Sequence, residues 1–274
     1  MLQETWKKNY QSVCSIRFFD SHDFEISMFT GFKSGNYIFT HDGVARIKKA
    51  TAIEISFVQN DDTAKKITVR IPATNFFNRL ITSEDRDFND FSVISTDNLG
   101  LDTVPSVIIS FENKSFIGTS VAMIGYQFDH PGLTLKKGII SSYKMLNKQR
   151  YLLFDGILSH GNSGSPLFHV EENKVIGIIG HKLNTIDINY QQMIRIINTN
   201  IKMLKEATGT MEISGVDPVQ VMVAAQHQIK QLANDLYKTS YLGAGYALSS
   251  YHMLQVMESK GMKVLNLKDS VVEI

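Results

Sequence analysis

From about Ser12 to His181 the chain is written in short apolar runs of four to eight residues, rich in Val, Ile, Phe and Tyr and broken by Gly, Asn, Asp or Lys. This pattern constrains the fold more than any other feature, because runs so short fit strands and are too brief for ordinary helices. Helical periodicity is hard to find there. Six runs form a first group: Val13 to Phe19, Glu25 to Phe32, Tyr37 to Thr40, Ala52 to Val58, Lys66 to Ile71 and Phe91 to Ile94. Six form a second: Val107 to Phe111, Ser120 to Tyr126, Leu135 to Ser142, Tyr151 to Asp155, Pro166 to Val170 and Lys174 to His181. Between the groups, Asp97 to Pro105 collects turn residues and a proline, which suit a connector better than a central strand. Two six-stranded units joined by a linker are expected.

After Asn189 the character changes: methionines concentrate, and apolar positions recur at three and four residues. Tyr190 to Ala207 reads as one helix. Asp217-Pro218, a capping residue before a proline at the first helical position, opens a second that runs to about Lys238. Tyr241 to Lys260 reads as a third, ended by Gly261. Three domains follow, residues 1–100, 101–188 and 189–274, the last a helical extension.

The 274 residues are enough for a large core without covalent staples. The single cysteine, Cys14, excludes an intrachain disulfide and a multi-cysteine zinc site, and a reducing compartment is the natural setting. No metal or other cofactor is expected. Net charge is +1, so no broad basic field invites nucleic acid, and Arg46-Ile47-Lys48-Lys49 reads as a solvated loop. No run approaches eighteen apolar residues, so no membrane span is expected, and the opening Met1 to Lys8 lacks the apolar stretch of a secretory leader.

The strongest local motif is Gly161-Asn162-Ser163-Gly164-Ser165-Pro166-Leu167-Phe168, followed by Glu171-Glu172-Asn173 and the apolar Lys174-Val175-Ile176-Gly177. It resembles the nucleophile loop of chymotrypsin-like (PA clan) serine proteases. Glycines around the serine let the backbone turn tightly, so that Ser163 projects while the amides of Gly161 and Ser163 converge as an oxyanion hole. A plain Gly/Ser turn at a hairpin mouth is the alternative. The resemblance requires a histidine upstream at a strand end, and Tyr37-Ile38-Phe39-Thr40-His41 supplies it as general base. Without Ser163, His41 would read as a polar strand-end residue beside Asp42. The carboxylate that orients the imidazole falls between the two in chain order. Asp90, heading Phe91-Ser92-Val93-Ile94, fits best, with Asp85 and Asp87 as competitors.

The resemblance implies a mainly β, chymotrypsin-like double β-barrel of two six-stranded antiparallel barrels, followed here by an α-helical domain. Asn162 stands where trypsin-like enzymes carry an aspartate paired with a freshly cut amino terminus, so zymogen-type activation is not expected. Asn-Ser-Gly-Ser-Pro is similar both to bacterial glutamyl endopeptidases and to the serine-type main proteases of nidoviruses, such as arteriviruses and toroviruses. The three-domain layout favours the latter. That resemblance implies cleavage of a viral replicase polyprotein after Gln or Glu, in the host cytoplasm, by a homodimer. His181, at the end of Val175-Ile176-Gly177-Ile178-Ile179-Gly180, would read the acidic or amide side chain, although a histidine simply emerging at a strand end is as good a reading. Leu158 and Ser159 would line its pocket, and Ile179 and Gly180 would pair with the substrate backbone. A non-catalytic scaffold on the same fold is the rival class.

Overall fold

The structure, a computed structural model, describes residues 1–59, 66–81, 91–110, 112, 116–127, 130–146, 149–182, 187–210, 213, 215–239 and 244–259, without the side chains of 131, 181, 182, 187, 188, 238 and 239. Helix α1 (Leu2–Asn9) leads through a 3-10 turn into β1 (Val13–Phe19), β2 (Glu25–Ser34) and β3 (Tyr37–His41). A 3-10 turn (Asp42–Arg46) precedes β4 (Ala52–Val58), β5 (Lys66–Pro72), α2 (Ala73–Asn78), β6 (Leu80–Ile81) and β7 (Phe91–Ser95). These strands form one antiparallel sheet in the order β5-β4-β1-β2-β3-β7-β6.

The expected first barrel is therefore a seven-stranded sheet that stays open among the described residues. Strand β6 has only two residues, and helix α2 seats Ala73 and Phe76 in the core beside β5. Phe76 meets Phe18 edge to face at 5.5 Å. Each such fully buried phenylalanine contributes about 1.5–3 kcal/mol through removal from water.

The second barrel closes. It comprises β8 (Ser120–Gln127), β9 (His130–Leu146), β10 (Gln149–Asp155), β11 (Pro166–His169), β12 (Lys174–Lys182) and β13 (Ala244–Ser249), in the order β10-β13-β12-β11-β8-β9. Its sixth strand comes from a different part of the chain than the sequence pattern implied. Residues 107–110 make one parallel bridge, Ile109 to Val175, and act as a strap between the sheets, while Phe111 lies outside the described residues. Val107 N donates to Lys33 O at 2.9 Å and Ser110 N to Val175 O at 2.8 Å. The strap's upstream end is held by the buried Lys33, whose Nζ donates to Val104 O at 3.0 Å; desolvation holds this ammonium below the usual lysine range.

The strand that completes the barrel is β13, paired with β12 through Ile178↔Leu248 and with β10 through Tyr151↔Leu248. The expected helix Tyr241 to Lys260 is thus a strand followed by helix α5 (Ser250–Ser259). Ala247 and Leu248 are both fully buried, so this short run lacks the alternation that marks a half-buried strand and merges with the spacing of Met253 and Met257. The helical extension is present in part: Leu183–Leu242 forms a compact unit of its own, and the chain then rejoins the barrel unit.

That helical unit is a hairpin of α3 (Asp187–Glu206) and α4 (Pro218–Thr239). Asp217 caps α4, its Oδ1 accepting from Val219 N at 2.8 Å. Within the hairpin the rings of Tyr190 and Tyr237 stack at 3.9 Å, and Tyr190 Oη donates to Asn234 Oδ1 at 2.6 Å.

Three apolar clusters hold the barrel unit together. One fills the first sheet around Ile16, Phe18 and Phe57, and one fills the second barrel around Met123, Phe154 and Ile176. The third joins them: Phe32, Phe39 and Val93 of the first sheet pack with Tyr126, Phe168, Ile178 and Leu248 of the second and with Met253 and Met257 of α5. This junction carries the candidate site.

Candidate active site

His41 is the last residue of β3, pairing with Phe91 of β7, and is 8% exposed. Phe29 of β2 lies over the imidazole, nearly parallel, with ring centroids 6.2 Å apart. The chain then turns at once: Gly43 N donates to His41 Nδ1 at 2.9 Å, and Asp42 Oδ1 stands 3.4 Å from the same nitrogen. Asp42 also pairs with Arg46. A Cβ at Gly43 would stand 2.8 Å from Nδ1 and 2.9 Å from the Phe29 ring, so glycine is what lets this turn close on the imidazole. Asp85, Asp87 and Asp90 fall in residues 82–90, outside the described residues, and their segment rejoins the structure at Phe91, the strand partner of His41.

Ser163 lies in the loop between β10 and β11. The loop is tightly turned: Asn162 N donates to Ser159 O at 3.1 Å and Ser165 N to Asn162 O at 3.0 Å. Gly161 and Gly164 hold φ of +94° and +88°, a region that side chains disfavour. Gly164 is also pressed against the first sheet, where a Cβ would meet Thr30 O at 2.1 Å, Thr40 Oγ1 at 2.7 Å and His41 N at 2.8 Å. The residue after Ser163 therefore abuts the strand end that bears His41. Ser163 Oγ is directed to Gly180 O at 3.5 Å, the outer limit of a hydrogen bond. Among the described residues, no backbone hydrogen bond is donated by the amide of Gly161 or Ser163.

Two residues that sequence reasoning missed hold this loop. Thr30, fully buried on β2, bonds on both sides of the nucleophile: its N donates to Ser163 O at 3.0 Å and its Oγ1 donates to Gly161 O at 2.7 Å. The same Oγ1 accepts from Tyr126 N at 2.9 Å, which ties in the second barrel. The only trace in the sequence is a threonine inside the apolar strand Phe29-Thr30-Gly31-Phe32. The second is Lys136 of β9, whose Nζ donates to Ser159 Oγ at 2.9 Å and Asn162 Oδ1 at 3.0 Å. Nothing local to Lys136 in the sequence points to this.

The expected substrate-side residues are placed unequally. Leu158 is 3% exposed and packs in the second-barrel core with Ile179, as core filling more than as an open wall. Ser159 is half-buried under Lys136. Ile179 has both main-chain groups engaged by the nucleophile loop, its O accepting from Gly164 N at 2.7 Å and its N donating to Ser165 O at 2.9 Å. Its backbone is thus unavailable to a substrate strand, and Gly180 is the first residue beyond that engagement. His181 lies on β12, with its side chain outside the described residues. A cavity of about 290 Å³ lined by Gln11, Phe57, Gln59, Ile67, Thr103 and Pro105, among others, includes none of the expected site residues.

Residues 30–178, more than half of the chain, match the trypsin-like peptidase domain family. No curated protein matches. Among solved structures, the serine endoprotease from Yersinia pestis is similar with a TM-score of 0.57 and 16% identity, the match covering 94% of this chain and 66% of that one. Deg5 is similar with a TM-score of 0.50 and 17% identity, covering 65% of this chain and 83% of that one. The chain thus spans just under two thirds of the length of the Yersinia pestis protein, and at such identities the likeness is one of fold. That shared fold and the match over residues 30–178 together show that this chain belongs to the trypsin-like peptidase domain family, with a chymotrypsin-like serine protease fold.

Proposed function

We propose that the chain is a serine endopeptidase working by acyl transfer. In this reading Gly43 N releases Nδ1 of His41 and the ring carries its proton there, so that Nε2 takes the proton of Ser163 as Oγ attacks the scissile carbonyl carbon, and the amides of Gly161 and Ser163 receive the oxyanion. The C–N bond breaks as His41 returns that proton to the leaving amine. Water, deprotonated by the same ring, then releases the acyl group. Asp90 then accepts from Nδ1–H, the nitrogen that Gly43 N occupies in this structure. The observation that carries the reading is the seat of the nucleophile turn: Thr30 and Gly164 fix the backbone on either side of Ser163 against the strand that ends in His41.

The finer reading is cleavage of a replicase polyprotein after Gln or Glu, in a host cytoplasm and by a homodimer, with His181 and Ser159 at the pocket. It rests on the likeness of Asn162-Ser163-Gly164-Ser165-Pro166 to nidovirus main proteases. A bacterial serine endoprotease is the second reading, favoured by the fold likeness to the Yersinia pestis protein. Both share the chemistry. A fluorophosphonate probe tests it: the protein should be labelled at Ser163, and His41→Ala should slow labelling by at least about a thousandfold. A wild-type protein that ignores the probe overturns the enzyme reading in favour of a non-catalytic scaffold.

A further inference from the structure

The turn that carries the Gly161 and Ser163 amides is held by side chains as well as by its own backbone. Residues 159–162 are closed by one backbone bond, Asn162 N to Ser159 O at 3.1 Å, and the turn contains a glycine at positive φ. Beside Thr30, which holds Gly161 O and Ser163 O, the side chain of Asn162 fixes it, and that residue is 1% exposed. Its Nδ2 donates to Tyr126 O at 2.6 Å, and its Oδ1 accepts from Ser159 N at 2.7 Å, leaving the oxygen's second lone pair to be filled. Lys136 fills it. The same ammonium reaches Ser159 Oγ, so one cation grips both ends of the turn, with hydrogen bonds stronger than neutral donors would make.

We propose that Lys136 is a positioning residue for acyl transfer: its ammonium, held between Ser159 Oγ and Asn162 Oδ1, keeps the Gly161 and Ser163 amides aimed at the oxyanion. The ammonium comes from within strand β9 of the second barrel. Loss of the cation leaves the buried Asn162 oxygen with one fewer donor and loosens the turn between Ser159 and Asn162, while Thr30 still holds Gly161 O. The consequence falls on the transition state, since only a developing oxyanion needs both amides at once. Ground-state binding is unaffected.

The proposal rests on the serine endopeptidase reading, and its test has one arm that does not. In the kinetic arm, fluorophosphonate inactivation is measured for wild type, Lys136→Met and Lys136→Arg. The maximal inactivation rate should fall about 10- to 100-fold in Lys136→Met, approaching the loss from removal of one oxyanion donor, with the half-saturating probe concentration unchanged. Arginine retains donors for both oxygens and should recover most of the rate. In the second arm, hydrogen exchange of the intact proteins should show faster exchange across residues 159–163 in Lys136→Met and near-wild-type exchange in Lys136→Arg, with core strands such as β8 unchanged. Wild-type inactivation rates in Lys136→Met, or unchanged exchange in the turn, overturn the proposal, as does equal acceleration in every strand, which would mark a merely structural role. If wild type itself ignores the probe, the enzyme reading falls and Lys136 loses its role in catalysis; exchange then decides separately whether it holds the turn.

Discussion

The chemistry of the candidate site depends on side chains far apart in sequence whose geometry is enforced by small residues. Gly164 and Gly43 let the nucleophile loop and the imidazole turn sit within contact distance of β2 and β3, and the Thr30 hydroxyl ties the nucleophile loop to Tyr126 of the second barrel. Thr30→Val keeps the shape of the side chain and removes that hydroxyl, leaving Gly161 O and Tyr126 N buried without this partner. We expect a stability loss of about 1–3 kcal/mol in denaturant melts, together with slower phosphonate labelling. A wild-type labelling rate would show that Thr30 does not set the loop. The turn at Ser163 and the strand that ends in His41 were legible in sequence, from the glycines around the serine and an apolar run closing in Thr-His. Thr30 and Lys136 were not, because each acts on the loop from another strand, Thr30 from 131 residues away, and a single sequence carries no mark of such a contact.

Elements were legible where their periodicity was clean. Strands β1 and β4 fall where alternation and turn residues place them, and α4 opens at Asp217-Pro218 through the side-chain cap. Strand β13 was missed because Ala247 and Leu248 are buried together, without the polar partner residues that reveal a strand. Helix α5, which follows it, contributes Met253 and Met257 to the junction core and also carries His252, whose Nε2 is buried without a hydrogen-bond partner among the described residues. Burial lowers the pKa of this imidazole from its ordinary 6.5. As pH falls through that value, the unfolded chain takes up the proton before the folded one does, so stability present above it is lost progressively. Thermal melts from pH 7.5 down to 5 should therefore show a smaller fall for His252→Gln than for wild type. Parallel falls would remove His252 from the acid response.

For the whole molecule, the junction between the two sheets is the decisive feature. It is built from residues of both sheets and from α5, so the segment after the helical hairpin completes the scaffold on which Ser163 and His41 stand. The double-sheet plan was legible from twelve short apolar runs. The open first sheet and the return of the chain after residue 242 were not, since closure depends on which edges find partners and local patterns do not encode it. Peptide-bond hydrolysis at Ser163, as proposed, is what this scaffold would serve. The most direct measurement is incubation of the protein and of its Ser163→Ala variant with a diverse peptide mixture, every cleavage position being read by mass spectrometry. The wild type should make cuts that are absent from Ser163→Ala, clustered after Gln or Glu if the pocket reading holds. Identical peptide profiles for the two proteins would contradict the proposal.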